Sequence, residues 1–478
     1  FQSAVTGAMN HRLPCLIALL FTALSAIAAD APRKFNILHI VADDLNVDLG
    51  CYGHAQVQSP NIDRLAARAV RFSHAYCNYP VCNPSRTSFL SGKRPDTTGV
   101  VDNETPTRTI LKDTIMLPQF FRQQGWLTQK VGKLFHTGNE FEDPPSWDFD
   151  MRETKEAKKP PTEQIIQMWS SGGVMLQADD ADTWDGKVAR KAIELMEAAS
   201  RDGKPFYIAA GFRRPHTPYI APKKYFDLYP QKKMAWAPEP PEHLANIPSI
   251  ALTYPKGKPA LPTEIRAEVM SAYFASISFM DAQVGVLLDA MDKLKLWENT
   301  IVIFQSDHGY HLGEHGGLWH KMTLFEECAQ VPLIVAAPGK KPGVSPRLVE
   351  LVDLYPTLAD LCGVKPPADL EGSSFKPLLD DPQRAWKKGA FAVVGRPESG
   401  KQKVGGTERL DVHYMGRTVR SEHWRYTEWP NGDAELYNQD TDPQEYQNLA
   451  GKPEQTATQN EMKDLLRKGW KQALPPAP

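Results

Sequence analysis

The chain has 478 residues, with 55 Lys and Arg against 57 Asp and Glu, a formal charge of −2, and 41% hydrophobic and 23% charged residues. That balance is ordinary for a globular protein and excludes a broadly basic nucleic-acid-binding surface. The length exceeds what one core comfortably holds, so one large domain with a smaller appendage, or two domains, is expected. Forty prolines against 32 glycines point to many rigid connecting loops, the kind on which sites are built.

The first 29 residues read as targeting sequence rather than fold. Residues 1–8, before Met9, have the look of a vector-derived remnant; His11 and Arg12 precede an apolar run at 16–27, and Ala26-Ile27-Ala28 precedes Ala29. This is the layout of a secretory signal peptide with a small-residue cleavage site. A membrane anchor is the other reading, but the run is shorter than the ~20 residues a span needs. Cys15 precedes the run and is badly placed for a lipid anchor. The expectation is an exported protein, periplasmic or secreted, with no membrane span after signal removal. Five cysteines then remain, Cys51, Cys77, Cys82, Cys328 and Cys362. An odd count leaves at least one thiol unpaired in an oxidising compartment. Cys77 and Cys82 are close enough to pair, which would disarm Cys82.

Residues 36–42, "NILHIVA", form a continuous apolar run, the mark of a strand buried on both faces, and end in Asp43-Asp44. Residues 82–91, "CNPSRTSFLS", put a cysteine where a loop becomes a helix. Pro84 suits a first helical turn, residues 85–91 continue it, and Gly92 is a natural stop. Further strands are expected at 125–131, leading to Lys133 and His136; at 205–210, leading to Arg213-Arg214-Pro215-His216; at 300–304, leading to Asp307-His308; and at 331–336, with no polar cluster after it. Helical patterns fall between them, at 61–69, 117–124, 186–199 and 266–293. Alternating strands and helices predict an α/β fold, a large, mostly parallel sheet sandwiched by helices. A Gly- and charge-rich break at 397–407 divides a catalytic domain, 30–400, from a C-terminal α+β subdomain, 407–478, with a small antiparallel sheet over 414–426 and 434–438 and a helix over 454–473.

In a parallel sheet the ligand lies beyond the carboxyl ends of the strands. There Asp43, Asp44, Asp307 and His308 form a candidate hard-cation site, better suited to calcium or magnesium than to zinc. Lys133 and Lys321 are candidates for a clamp on an anionic group, and His136 and His216 for acid or base roles. His311, His315 and His320 crowd "SDHGYHLGEHGGLWHK" and offer a zinc alternative, but the spacing is not His-Glu-x-x-His and there is no Cys-x-x-Cys. Cys82 sits at the positive end of a helix with Arg86 near, which favours a thiolate and welcomes anions. "VCNPSRTSF" lacks the local signatures of thiol proteases, and a thiolate phosphatase needs its arginine where Ser88 stands. What fits is Cys-x-Pro-x-Arg.

With "ADDL", "LGCYG", "SPNIDRLA", "VCNPSRTSFLSGKRPDTT", "VGKLFH", "FRRPHTPY", "SDHGYHLGEHG", "VPLIVAAPG", "LVDLYPTLA" and "ELYNQDTDPQEYQNLA", the chain resembles the type I sulfatases of the alkaline phosphatase superfamily. Within them it is similar to the iduronate-2-sulfatase-like branch. The resemblance implies that Cys82 is oxidised by a formylglycine-generating enzyme to formylglycine, whose hydrate attacks sulfur. It implies Ca2+ bound by Asp43, Asp44, Asp307 and His308, with residue 82 as a further ligand. Arg86 would hold the hydrate, Lys133 and Lys321 the sulfate; His136 would help collapse the intermediate, and His216 would protonate the leaving oxygen. Two places depart from the branch: Asn46-Val47 stands where the iduronate enzymes carry Arg-Pro, and Gly317 to Lys321 also differs. The expected substrate is a sulfated oligosaccharide or polysaccharide fragment, with Arg214, His311, Trp319 and His320 as candidate residues of the substrate rim. Two other readings are a phosphoester or phosphonate hydrolase on the same scaffold, and a sugar-binding protein in which Cys82 is never converted.

Overall fold

A computed structural model describes residues 34–157, 159–252, 261–396, 401–404, 407–410 and 415–476. The expected signal segment and most of the 397–407 break lie outside the described residues. The central sheet has eight strands: β1 (Asn36–Asp43), β2 (Val70–Tyr76), β3 (Leu127–Gly132), β4 (Phe149–Met151), β5 (Phe206–Pro215), β6 (Thr300–Ser306), β7 (Gln330–Ala336) and β8 (Gly343–Glu350). Their order is β8-β2-β7-β6-β1-β5-β3-β4. β7 runs antiparallel to both its neighbours, β2 and β6. Every other neighbouring pair is parallel.

The sheet is covered on both faces, which is why its central strands read as unbroken apolar runs. Along β1, Leu38, Ile40 and Ala42 join a core built on helices α3 (Trp184–Arg201) and α4 (Thr263–Lys293). Ile37 and Val41 face the opposite core, with Phe89 and Leu90 of helix α2 (Cys82–Ser91). Helix α1 (Pro60–Ala66) joins the first layer through Ile62 and Leu65. α4 is long and apolar enough to cross a membrane, yet 83% of its most apolar window is buried inside the protein. It is the core helix of one layer.

α2 begins at Cys82 itself, with Val81 as its N-cap, and all ten of its residues are buried. Gly92 ends it at φ 67° and donates its N–H to the Ser88 carbonyl. A three-stranded sheet, Ile165–Met168, Gly173–Leu176 and Tyr219–Pro222, has no counterpart in the expected elements.

The C-terminal antiparallel sheet runs Ala390–Val394, Gly416–Arg420, Trp424–Glu428, Ala434–Asn438. Its first strand thus comes from before the 397–407 break, within the stretch expected to be catalytic. Helix α5 (Thr456–Lys468) packs on it through Met462, Leu465 and Leu466, against Val419, Tyr426 and Leu436. Arg425 ties this sheet to the body: it donates to Glu445 at 2.5 Å and to Glu326, while the Glu326 N–H donates to Glu445 at 2.9 Å.

Candidate active site

β1, β3, β5 and β6 are mutually parallel and end on the same edge, so the loops leaving these four strands converge there. Asp43 closes β1. Asp44 comes next with φ 63°, a left-handed conformation that a short Asp side chain tolerates better than most. The turn is pinned from several sides. Asp44 N–H donates to Asp307 Oδ1 at 3.2 Å, Leu45 N–H to Ser306 Oγ at 2.9 Å, and Tyr273 O–H to the Asp44 carbonyl at 2.7 Å. Strain held by so many contacts is characteristic of functional turns.

Arg86 crosses under the site and is fully buried. Its Nε donates to Asp307 Oδ2 at 2.8 Å, its Nη2 to Asp43 Oδ1 at 3.0 Å, and its Nη1 to the Lys133 and Leu134 carbonyls at 2.9 Å each. Lys133 reaches Asp43 Oδ2 at 2.6 Å. Lys321 reaches Asp44 Oδ1 at 2.5 Å and Cys82 Sγ at 3.1 Å. Cys82 Sγ also lies 3.3 Å from His308 Nε2 and 3.7 Å from Asp44 Oδ1. Ligand atoms of Asp43, Asp44 and Asp307, and those of Cys82, Asp307 and His308, lie within 4.8 Å of one another.

Burial alone would raise the Cys82 thiol, but the Lys133 and Lys321 ammoniums outweigh it and draw the pKa down to about 6. Burial pushes Asp44 up to about 6 against the pull of Lys321. Asp43 is held well below the usual carboxylate range because Lys133, Arg86 and Arg213 overcome the cost of burying it. His136 is kept neutral, its pKa lowered to about 3, by burial and by Lys133.

The donors suit a divalent cation. Asp44 Oδ2 is buried and has no hydrogen-bond partner, an expensive condition for a carboxylate unless a cation answers it. His308 Nδ1 lies 2.8 Å from the Gly309 carbonyl, which accepts its proton and leaves Nε2 facing the carboxylates. Against burial, Asp307 and Cys82 raise the ring to about 9, and a cation bound there would replace the Nε2 proton. Three carboxylates and one imidazole form a mainly hard donor set.

A sulfatase family model matches residues 35–364, and one described as N-sulphoglucosamine sulphohydrolase, C-terminal, matches residues 313–472. The chain belongs to the sulfatase family. Iduronate 2-sulfatase of Homo sapiens is 33% identical to this sulfatase across 87% of the chain and 90% of the relative. The fold is shared with a structure solved in complex with its substrate D-glucosamine-2-N,6-O-disulfate, at TM-score 0.73 and 22% identity, covering 92% of this chain and 98% of that one. It is shared too with the phosphonate monoester hydrolase of Agrobacterium radiobacter, at TM-score 0.79 and 20% identity, covering 92% and 96%. By family, the sulfatase is a sulfuric ester hydrolase of the iduronate-2-sulfatase-like branch.

The sulfatase brings together Asp43, Asp44, Cys82, Arg86, Lys133, His216, Asp307, His308 and Lys321, with His136 on the loop after β3. Of the four expected rim residues, three are buried. Arg214 is 2% exposed and donates to the carbonyls of His216, Pro218 and Ala157, so it shapes the loop. His311 is fully buried, with Nε2 2.8 Å from Thr323 Oγ1. His320 is buried, its Nδ1 against the Lys321 carbonyl. Trp319 is half-buried and donates to Tyr219 O–H at 2.7 Å, which leaves it alone among the four with an open face. Asn46, at the departure from the iduronate enzymes, turns inward to Asp48 and the Tyr310 carbonyl at 2.9 and 3.3 Å. All five cysteines after the expected signal are unpaired.

Three residues around His216 escape the reading from sequence: Arg213, Glu153 and Thr137. Successive strand residues point to opposite sides, so only one arginine of the Arg213-Arg214 pair faces the site. No signal in the sequence separates the two.

Proposed function

We propose that this sulfatase is an exported enzyme that removes sulfate from sulfated saccharides, with residue 82 in its formylglycine form and one Ca2+ in the carboxylate cluster. The observation that carries this reading is the convergence of Lys321, His308 and Asp44 on Cys82 Sγ, at 3.1, 3.3 and 3.7 Å, in the first turn of a wholly buried helix. The saccharide class is supported by the names of the relatives, and export by the apolar run at 16–27.

Asp43, Asp44, Asp307 and His308 would hold the cation, which when bound polarises a sulfate oxygen and draws off charge. Converted by a formylglycine-generating enzyme, residue 82 would present a hydroxyl oxygen where Sγ stands. Arg86 keeps Asp43 and Asp307 in place and shields each carboxylate from the other. The Lys133 and Lys321 ammoniums supply fixed positive charge for the sulfate oxygens as charge develops. His216 directs Nε2 toward the cluster, 3.8 Å from Asp44 Oδ2, where it can donate to the leaving oxygen. His136, held neutral, is available as a base for the second hydroxyl of residue 82.

Mass spectrometry of the peptide containing residue 82, from protein made alongside a formylglycine-generating enzyme, should show an aldehyde. Cys82→Ala should lose ~10³-fold or more in turnover. Sulfated hexoses and uronides should be cleaved faster than matched phosphate or phosphonate esters. Full activity with only a thiol at 82 would end the formylglycine reading, and a preference for phosphonates would favour the other chemistry of this fold.

A further inference from the structure

His216 carries two contacts on one nitrogen that cannot both be hydrogen bonds. Its Nδ1 lies 3.0 Å from Arg213 Nη2 and 2.5 Å from the Thr217 carbonyl oxygen. A guanidinium only donates and a carbonyl only accepts. A protonated Nδ1 would therefore serve Thr217 and confront an N–H of Arg213. A bare Nδ1 would serve Arg213 and face the lone pairs of Thr217.

Charge decides between them. Arg213 is 4% exposed, and its Nη1 is anchored on Glu153 at 2.9 and 3.3 Å. Thr137 Oγ1 donates to the same carboxylate at 2.5 Å, and Arg213 N–H donates to Asp185 Oδ1 at 3.0 Å. An arginine guanidinium keeps its protons throughout the working pH range and can only donate. A hydrogen bond from a fixed cation to a ring lone pair is about twice as strong as a neutral one. The alternative sets two N–H groups face to face in a dry site, the costlier arrangement.

We infer that Arg213, braced by Glu153 and Thr137, is a positioning residue that holds His216 as the neutral Nε2–H tautomer, with that N–H aimed at the reacting ester. This rests on the proposed role of His216 at the leaving oxygen and changes its character. His216 is then a hydrogen-bond donor to the leaving oxygen rather than an imidazolium acid. As the hydroxyl oxygen of residue 82 bonds to sulfur, the S–O bond to the alcohol breaks with its electron pair on the leaving oxygen, where Nε2–H stabilises it. The hydroxyl proton passes to solvent and solvent protonates the alcohol, so the step exchanges no net proton.

The test compares kcat and KM on two sulfate esters, a saccharide sulfate with a poor leaving group and a nitroaryl sulfate with a good one. The proteins are the converted, calcium-loaded enzyme and its Arg213→Met, Arg213→Lys, Glu153→Gln, His216→Ala and Arg213→Met/His216→Ala variants. For Arg213→Met, kcat on the saccharide sulfate should fall about 10- to 100-fold with KM within about 3-fold, against a loss under about 3-fold on the nitroaryl ester. Arg213→Lys should recover part of the loss, Glu153→Gln should share its selectivity, and the double variant should be no worse than His216→Ala. Equal losses on both esters, or losses that multiply in the double variant, would overturn the positioning role. A selective His216→Ala beside an unselective Arg213→Met would overturn the clamp alone, whereas an unselective His216→Ala would remove the role of His216 and the clamp with it. Should Arg213→Met fail to fold, Arg213→Lys and Glu153→Gln answer the same question.

Discussion

At the scale of single residues, Arg86 is the centre of the site's electrostatics. It touches two carboxylates and two carbonyls with no solvent access. Removing one partner of a buried ion pair leaves an uncompensated charge, at a cost of about 3–5 kcal/mol. Arg86→Met should therefore lower the unfolding free energy of the metal-free protein by about that amount in urea titrations. The loss should shrink when millimolar calcium is added, because a cation among Asp43, Asp44 and Asp307 takes over the role of the guanidinium. Most residues at this scale are legible in the sequence, because polar residues that close buried strands have little else to do. The exceptions are informative. Arg214 and His311 are expected at the substrate rim because cations suit a sugar carboxylate; each is instead buried against backbone or hydroxyl groups that only the folded chain brings near.

Between elements, β3 and β5 approach more closely at their carboxyl ends than side chains allow. Gly132 has φ 78°, and a Cβ there would lie 2.1 Å from the Gly211 carbonyl oxygen. A Cβ on Gly211 would lie 2.0 Å from the Lys133 carbonyl, which Arg86 also holds. Gly211→Ala must therefore push the two strand ends apart and carry Lys133 with them. A displacement of about 1 Å at a reacting centre can cost ~10²-fold, so kcat on a sulfate ester should drop by that order while the far-ultraviolet spectrum stays native. The direction of β7 is not legible in the sequence, though its existence is. It runs antiparallel to β2 and β6, so its carboxyl end, at Ala336, points away from the site. That is the physical reason no polar cluster comes after residues 331–336. Propensity favours a helix over 85–91, while the observed first turn of α2 also takes in Cys82 and Asn83. Asn83 Nδ2 is held there by the Asp102 and Thr105 carbonyls at 2.9 and 2.8 Å.

For the whole molecule, the C-terminal sheet is joined to the catalytic body through a buried charge cluster. Glu445 is fully buried at φ 59° and accepts from Arg425, Gln439 and the Glu326 N–H. Burial raises it to about 7 despite Arg425. A raised carboxyl favours the folded state while protonated; that contribution is full below about 4.5, the unfolded value, and is lost as pH climbs through about 7. Glu326 acts in the opposite sense: against burial, Arg420 and Arg425 lower it, so its contribution fades only as pH falls below the unfolded range. Between pH 5 and 7, unfolding free energy should therefore decline by up to about 1.4 kcal/mol per pH unit from this one group. Glu445→Gln should flatten that slope; an unchanged slope would assign it elsewhere. The α/β class and the small antiparallel sheet are legible because buried strands and alternating strands carry different patterns. The strand Ala390–Val394 and the sheet Ile165–Met168, Gly173–Leu176 and Tyr219–Pro222 are not, since short strands gain their partners from distant chain and have little periodicity of their own.

The burial of α2 sets an order of events in time. Cys82 is 1% exposed, and its nearest neighbours, His308 and Lys321, come from more than two hundred residues further along the chain. Until β6 docks beside β1, the helix that carries Cys82 has no lid, and a second protein can hold the segment as an extended peptide. Once Asp307 meets Arg86 that opportunity closes, for reaching the thiol would then mean dismantling the sheet. On the proposed conversion, the enzyme that modifies residue 82 is thus in a race with folding, and the yield of converted protein should follow which of the two finishes first.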